Sequence, residues 1–142
     1  MRSIIFATLA LLLCACGGEP PASTASTLEQ SAGQWRVINY WAEWCTPCIK
    51  EIPELNELAR EHPEIAVFGV NYDGATGEQL AQQISELGIA FTNLDTDPAA
   101  ELGMERPRVL PTTVILTPTG ELSATLVGPQ TVASLLRATL GE

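Results

Sequence analysis

Trp35-Arg36-Val37-Ile38-Asn39-Tyr40-Trp41-Ala42-Glu43-Trp44-Cys45-Thr46-Pro47-Cys48-Ile49-Lys50-Glu51-Ile52-Pro53 changes its pattern midway, and that change decides the fold. After Arg36 the run to Trp41 is nearly all apolar at both parities, as in a central strand buried on both faces. Beyond Thr46 the core-type residues Cys48, Ile52, Leu55 and Ala59 recur at helical spacing. Cys45 and Cys48 therefore fall in the first turn of a helix that follows a strand. Residues three apart are neighbours on a helix surface, so the pair can close a disulfide with little backbone movement. The first turn also offers unpaired N–H groups and the positive end of the helix dipole, which favour a thiolate at Cys45. This suits reversible thiol–disulfide exchange. The bland alternatives are half of a zinc site or two inert core thiols.

Working outward, Pro53 should kink the helix and His62-Pro63 should end it. Residues 65–72 read as a second buried strand, rich in Val, Ile and Phe. Thr76-Gly77-Glu78-Gln79 resembles a capping box that opens a helix with Leu80, Ile84 and Leu87 inward and Gly88 as its stop. A short strand is expected over 89–94, then a brief helix from Asp97-Pro98 to Gly103. A hairpin follows, 112–117 turning at Pro118-Thr119-Gly120 into 121–127, and a last helix carries Val132, Leu135, Leu136 and Leu140. The order βαβαβ, short helix, hairpin and helix defines an α/β domain: a mixed central sheet with helices on both faces.

Before this domain lies a different composition. Met1-Arg2, the apolar run Ile4 to Leu13 and a terminal Cys make residues 1–15 a signal peptide, since the run is short for a membrane span. Leu13-Cys14-Ala15-Cys16 resembles the bacterial lipoprotein signal, with Cys16 lipidated as the first mature residue; a plain secretory signal or an uncleaved anchor are the alternatives. Cleavage before Cys14 would put Leu13 where a small residue is wanted. Gly17 in place of Asp favours the outer over the inner membrane. Residues 16–34, with Pro20-Pro21 and a Ser/Thr/Ala-rich stretch, read as the lipidated Cys and a flexible tether, and 35–142 as the domain. Loss of Arg2 leaves six basic against 17 acidic residues, a net charge of −11. That acidity excludes nucleic acid as a partner and makes an acyl chain the membrane contact. After processing, Cys45 and Cys48 are the working cysteines. With one His and no second cysteine pair, zinc's four ligands are not available, and no metal or cofactor is expected.

A buried strand, Trp44-Cys45-Thr46-Pro47-Cys48 opening a helix, and the distant Leu110-Pro111-Thr112 before a hairpin are similar to the thioredoxin fold. More narrowly, residues 39–48, Lys50-Glu51-Ile52-Pro53, the extra helix and strand between Asn71 and Asp95, and Pro111-Thr112-Thr113 with Gly120 resemble the TlpA/ResA group. These are extracytoplasmic, membrane-attached thiol–disulfide oxidoreductases, and the resemblance covers residues 35–142. It implies a thioredoxin-like fold with the TlpA-type helix and strand inserted after the second strand.

For the site, the resemblance implies Cys45 as nucleophile and Cys48 as resolving thiol. It implies a cis Pro111 that presents the Leu110 backbone to an extended partner chain. Glu51, one turn beyond Cys48, would carry the resolving thiol's proton, Asn39 standing where ordinary thioredoxins have a buried Asp. A solvated glutamate like Glu54 and Glu57 is the alternative. Trp44 offers a flat contact to substrates, whereas Tyr40 and Trp41 read as core. Val109 departs from the Gly usual two residues before the proline, and the loop 104–110 is long, with an added Pro107. Arg106 and Arg108 read as a solvated loop pair, with a thiolate or acidic-partner contact as the alternative, and His62 as a helix-end surface residue.

The implied partners are protein disulfide or thiol substrates and a membrane thiol-electron donor, on the periplasmic side. The leading expectation is a disulfide reductase, with cytochrome c maturation or general thiol reduction as destinations. A disulfide oxidase or isomerase would use the same residues. A thiol peroxidase would want a Cys beside Thr and Arg, and a Sco-type metal chaperone Cys-x-x-x-Cys with a distant His; neither pattern is found. A non-catalytic binding module remains the last alternative.

Overall fold

An apolar strand with no polar parity must be covered on both sides, and the strand at 35–41 is. The computed structural model describes residues 24–142, with side chains from Thr27 onward. Its elements are α1 (Thr24–Gln30), β1 (Trp35–Trp41), α2 (Thr46–Glu61), β2 (Ile65–Asn71), α3 (Gly77–Leu87), β3 (Thr92–Asn93), β4 (Thr112–Leu116), β5 (Leu122–Val127) and α4 (Val132–Thr139). The sheet order is β3-β2-β1-β4-β5. β1 is parallel to β2 and antiparallel to β4, so the sheet is mixed as expected.

The two parities of β1 feed two cores. Val37 and Trp41 join Ile52, Leu55 and Leu58 of α2, Leu80 of α3 and Leu135 of α4. Ile38 and Tyr40 join Phe68, Val70, Val114, Leu116, Leu94 and Leu28 of α1 on the opposite side. Asn39 shares the α2-facing parity, which brings a polar group into the first core. Helix α2 runs through Pro53, whose exposed position leaves the freed carbonyl of Ile49 near solvent.

Close approach governs one strand position. A Cβ on Gly69 of β2 would overlap the Asn93 side chain and come within 2.9 Å of Trp41 Nε1 and Phe91 Cε2. The indole of Trp41 instead lies over this glycine and donates to Asn93 Oδ1 at 2.9 Å, pinning β3 to the sheet.

Several expectations need correction. The tether does not extend to residue 34: α1 occupies Thr24–Gln30 and buries Leu28 in the second core. Arg36, itself buried, holds the following turn by donating to the Ser31 hydroxyl at 2.9 Å, so packing of Leu28 and a bond from the start of β1 stabilise a segment of weak local pattern. The signal peptide, Cys16 and the first part of the tether lie outside the described residues. Thr76 is the N-cap of α3, yet its side chain makes no capping bond, because Gly77 enters the helix at φ +55 and turns the first peptide off the helical path. Gly88 does close α3 in the left-handed region.

The strand expected over 89–94 pairs only at Thr92–Asn93, Ile89, Phe91 and Leu94 being spent on core filling. The brief helix at 97–103 is a turn, with Leu102 N–H bonded to the Pro98 carbonyl at 3.0 Å and Gly103 in the left-handed region. Arg106 is solvent-exposed in its loop, as expected, but it is not free there: its Nε donates to Asp97 Oδ2 at 2.6 Å.

Candidate active site

β1 ends at Trp41, and a tight turn closed by Cys45 N–H bonding to the Ala42 carbonyl at 3.1 Å delivers the chain into α2. Cys45 is the N-cap of that helix. Its backbone is extended, and its Sγ accepts from the Cys48 N–H at 3.3 Å. A sulfur is a weak acceptor as a thiol and a charge-assisted one as a thiolate, so this bond and the helix dipole both favour the ionised form. Pro47 fits the first turn because its missing N–H would have had no helical partner.

The two cysteines are joined as a disulfide with Cα atoms 5.2 Å apart. Cys45 is 4 % exposed and Cys48 1 %, so even the cysteine that would attack a partner is nearly covered in this oxidised form. Trp44, by contrast, is 63 % exposed and is held by its indole N–H donating to Asp73 Oδ2 at 2.7 Å.

One turn beyond Cys48 on α2, the side chain of Glu51 is enclosed, 2 % exposed. Asn39 Nδ2 donates to its Oε1 at 2.7 Å and to Thr113 Oγ1 at 3.0 Å, while the Gln130 N–H donates to Oε2 at 2.8 Å. Burial pushes the Glu51 carboxyl above its ordinary value of 4.5, against the pull of the two hydrogen bonds from Gln130 and Asn39. A buried carboxyl raised in this way is better matched to accept a thiol's proton than a solvated one. The solvated reading of Glu51 is therefore overturned. Glu54 is not merely solvated either: its Oε2 accepts from Val132 N–H at 2.8 Å at the start of α4.

The Leu110–Pro111 peptide is cis, as the motif implied. Thr112 pairs with Tyr40, so Pro111 lies just past that register, at the end of β1 from which the Cys45 turn departs. Leu110 packs against the core cluster that contains both cysteines, and the Pro111 carbonyl accepts from Gly128 N–H at 2.9 Å. Val109 is exposed and Arg108 lies on the surface beside it, whereas Arg106 is occupied. Among the described residues no three His, Cys, Asp or Glu side chains converge on a metal-sized site. Sequence reasoning missed Gln130 and Asp73 altogether, and it named Thr113 and Asp97 only as parts of a motif and of a helix start, without their bonds to Asn39 and to Tyr40 and Arg106.

A dithiol pair at a helix start, a cis proline from a distant loop and a five-stranded mixed sheet together define a thioredoxin-like protein. The chain belongs to the AhpC/TSA family, whose pattern matches residues 19–125. It is similar to the thiol:disulfide interchange protein HelX of Rhodobacter capsulatus, 31 % identical over 116 residues, covering 81 % of this chain and 62 % of that protein. It is also similar to the sporulation thiol-disulfide oxidoreductase A of Bacillus subtilis, 32 % identical over 108 residues, covering 72 % and 65 % respectively. The chain thus spans under two thirds of the length of these curated relatives. Among solved structures it is similar to StoA of Bacillus subtilis, with a TM-score of 0.60, 26 % identity and coverage of 75 % and 82 %. A DsbF homologue from Corynebacterium diphtheriae matches with a TM-score of 0.61, 26 % identity and coverage of 78 % and 73 %.

Proposed function

We propose that this chain is an extracytoplasmic thiol–disulfide oxidoreductase that reduces disulfides in other proteins. The observation that carries the reading is the Cys45–Cys48 pair at the start of α2, with an enclosed Glu51 one turn further along the same helix. The names of the relatives, all thiol–disulfide exchange proteins, support it.

In the reduced protein the Cys45 thiolate attacks one sulfur of a partner disulfide. A mixed disulfide forms, and the partner's other sulfur leaves as a thiolate that takes up a proton. Cys48 then gives its proton to ionised Glu51 and attacks Cys45 Sγ. The Cys45–Cys48 bond forms, the mixed disulfide breaks, and the partner leaves with both sulfurs reduced. Two electrons have passed to the partner, and a membrane dithiol donor must return them. Leu110 and Pro111 offer backbone to the partner's extended chain, and the exposed Trp44 a flat apolar contact. Cys16 carries a lipid that holds the domain at the periplasmic side of a membrane, the outer one if Gly17 after the cysteine sorts it as in the lipoproteins it resembles. Cytochrome c maturation is one destination such a reductase would serve.

Insulin reduction driven by dithiothreitol tests this directly. The wild type should accelerate it and Cys45→Ser should not; no acceleration by the wild type would sink the reading. The same residues running backwards make an oxidase or isomerase, and the direction follows from the pair's reduction potential, where about 30 mV is tenfold in the equilibrium constant. Cys48→Ala in the native cell should hold the mixed disulfide and so name the partner. Capture of an oxidising membrane protein alone would overturn the reductase direction.

A further inference from the structure

Away from the cysteines and Glu51, a dense polar cluster lies beneath the loop that carries Pro111. Arg106 Nε donates to Asp97 Oδ2 at 2.6 Å, its Nη2 donates to the Tyr72 carbonyl, and its guanidinium lies 3.9 Å over the Tyr72 ring. Asp97 Oδ1 accepts in turn from the Tyr40 hydroxyl at 2.8 Å and the Ala99 N–H at 3.0 Å. Tyr40 is a fully buried residue of β1, and Tyr72, just past β2, bonds through its N–H to the Trp41 carbonyl at 2.8 Å. One side chain, five positions before Pro111, is thereby tied to the ends of the two strands that lead into the site.

The other end of the loop is fastened separately. Thr112 Oγ1 donates to the Val109 carbonyl at 2.8 Å, and Pro107 between the two fastenings fixes its own φ. The side chain of Arg106 is 43 % exposed, so burial does not hold it; its flat fork of donors and its stacking do. Lysine has the charge but neither the fork nor the plane.

We propose that Arg106 is a positioning residue for partner recognition: it fixes the 106–110 loop against the ends of β1 and β2, so that the Leu110 backbone is pre-set for an extended protein chain. The inference rests on the oxidoreductase reading. A loop ordered in advance loses less freedom when the partner binds, and the benefit falls on binding rather than on sulfur chemistry. A small disulfide needs Cys45 but no backbone pairing, so it separates the two.

The experiment compares wild type, Arg106→Gln and Arg106→Lys on disulfide-bonded insulin and on a small aromatic disulfide, with a thermal melt for each. Arg106→Gln should raise the KM for insulin about five- to tenfold with kcat held within about twofold, and leave the small disulfide's rate close to wild type. Arg106→Lys should fall between; if Arg106→Gln does not fold, the lysine variant carries the comparison. An unshifted insulin KM, or equal losses on both disulfides, overturns the inference while leaving an active wild type. A wild type inert towards both disulfides overturns the oxidoreductase reading and the inference with it.

Discussion

Asn39 holds Glu51 with one hydrogen and Thr113 with the other, and it cannot titrate. Among the described residues the carboxyl of Glu51 is the one buried acid, and it is the proton acceptor proposed for Cys48, one turn away on the same helix. Replacing it by Gln should slow closure of the Cys45–Cys48 bond about a hundredfold, read as accumulation of mixed disulfide in quenched-flow experiments. The wild-type closure rate should rise with pH through an inflection above 4.5, absent from Glu51→Gln. Stability should run the other way. The folded protein keeps this proton to higher pH than the unfolded chain. The stabilisation is therefore complete below the ordinary carboxylate value and lost as pH rises through the folded one. Urea melts of wild type and Glu51→Gln across that range check the sign. A second residue-scale prediction concerns Gly69. Gly69→Ala would overlap Asn93 and crowd Trp41 and Phe91, costing about 1–3 kcal/mol in denaturant melts. The spacing from Cys48 pointed to Glu51, but its enclosure was not legible. Its partner Gln130 is 79 residues away in the chain, and Asn39's other partner Thr113 is 74 from Asn39.

At the scale of elements, α4 begins where α2 lets it. The Glu51 and Glu54 carboxylates of α2 take the Gln130 and Val132 N–H groups, while Thr131 and Ser134 form a reciprocal capping box. Thr131→Ala should therefore cost only about 1 kcal/mol in thermal or urea melts, because two further acceptors remain at the helix start. Long periodic stretches were legible: α2, β2 and the hairpin lie within a residue or so of where the pattern put them. Shorter ones were not. Residues 89–94 have a strand's composition, yet Ile89, Phe91 and Leu94 spend it on filling the two cores. Residues 24–30 have almost no helical stripe, and one Leu28 in the second core, with Arg36 of β1 bonded to the turn that follows, makes the difference. At Thr76 the capping letters are present, but a left-handed Gly77 removes the geometry they need.

The whole molecule is a strongly acidic domain with net charge −10 over the full sequence, and nothing in that charge draws it to an anionic bilayer. In the function proposed above, its place at a membrane would rest on a lipid at Cys16. Cys16→Ala should move the protein from the membrane to the soluble fraction of cells, without changing insulin reduction by the purified domain. The cysteine pair and Pro111 were legible because chemistry constrains their spacing and context. The bracing through Tyr40, Asp97, Arg106 and Tyr72 was not, since it joins four separate stretches that only the folded sheet brings together. The hydrogen bond from the Gln130 amide to Glu51 has one more use. An amide proton shared with a carboxylate shifts its resonance when that carboxylate ionises. In a nitrogen-15 spectrum, the Gln130 signal should therefore act as a built-in indicator of the Glu51 proton, readable in oxidised and reduced protein alike with both sulfurs untouched.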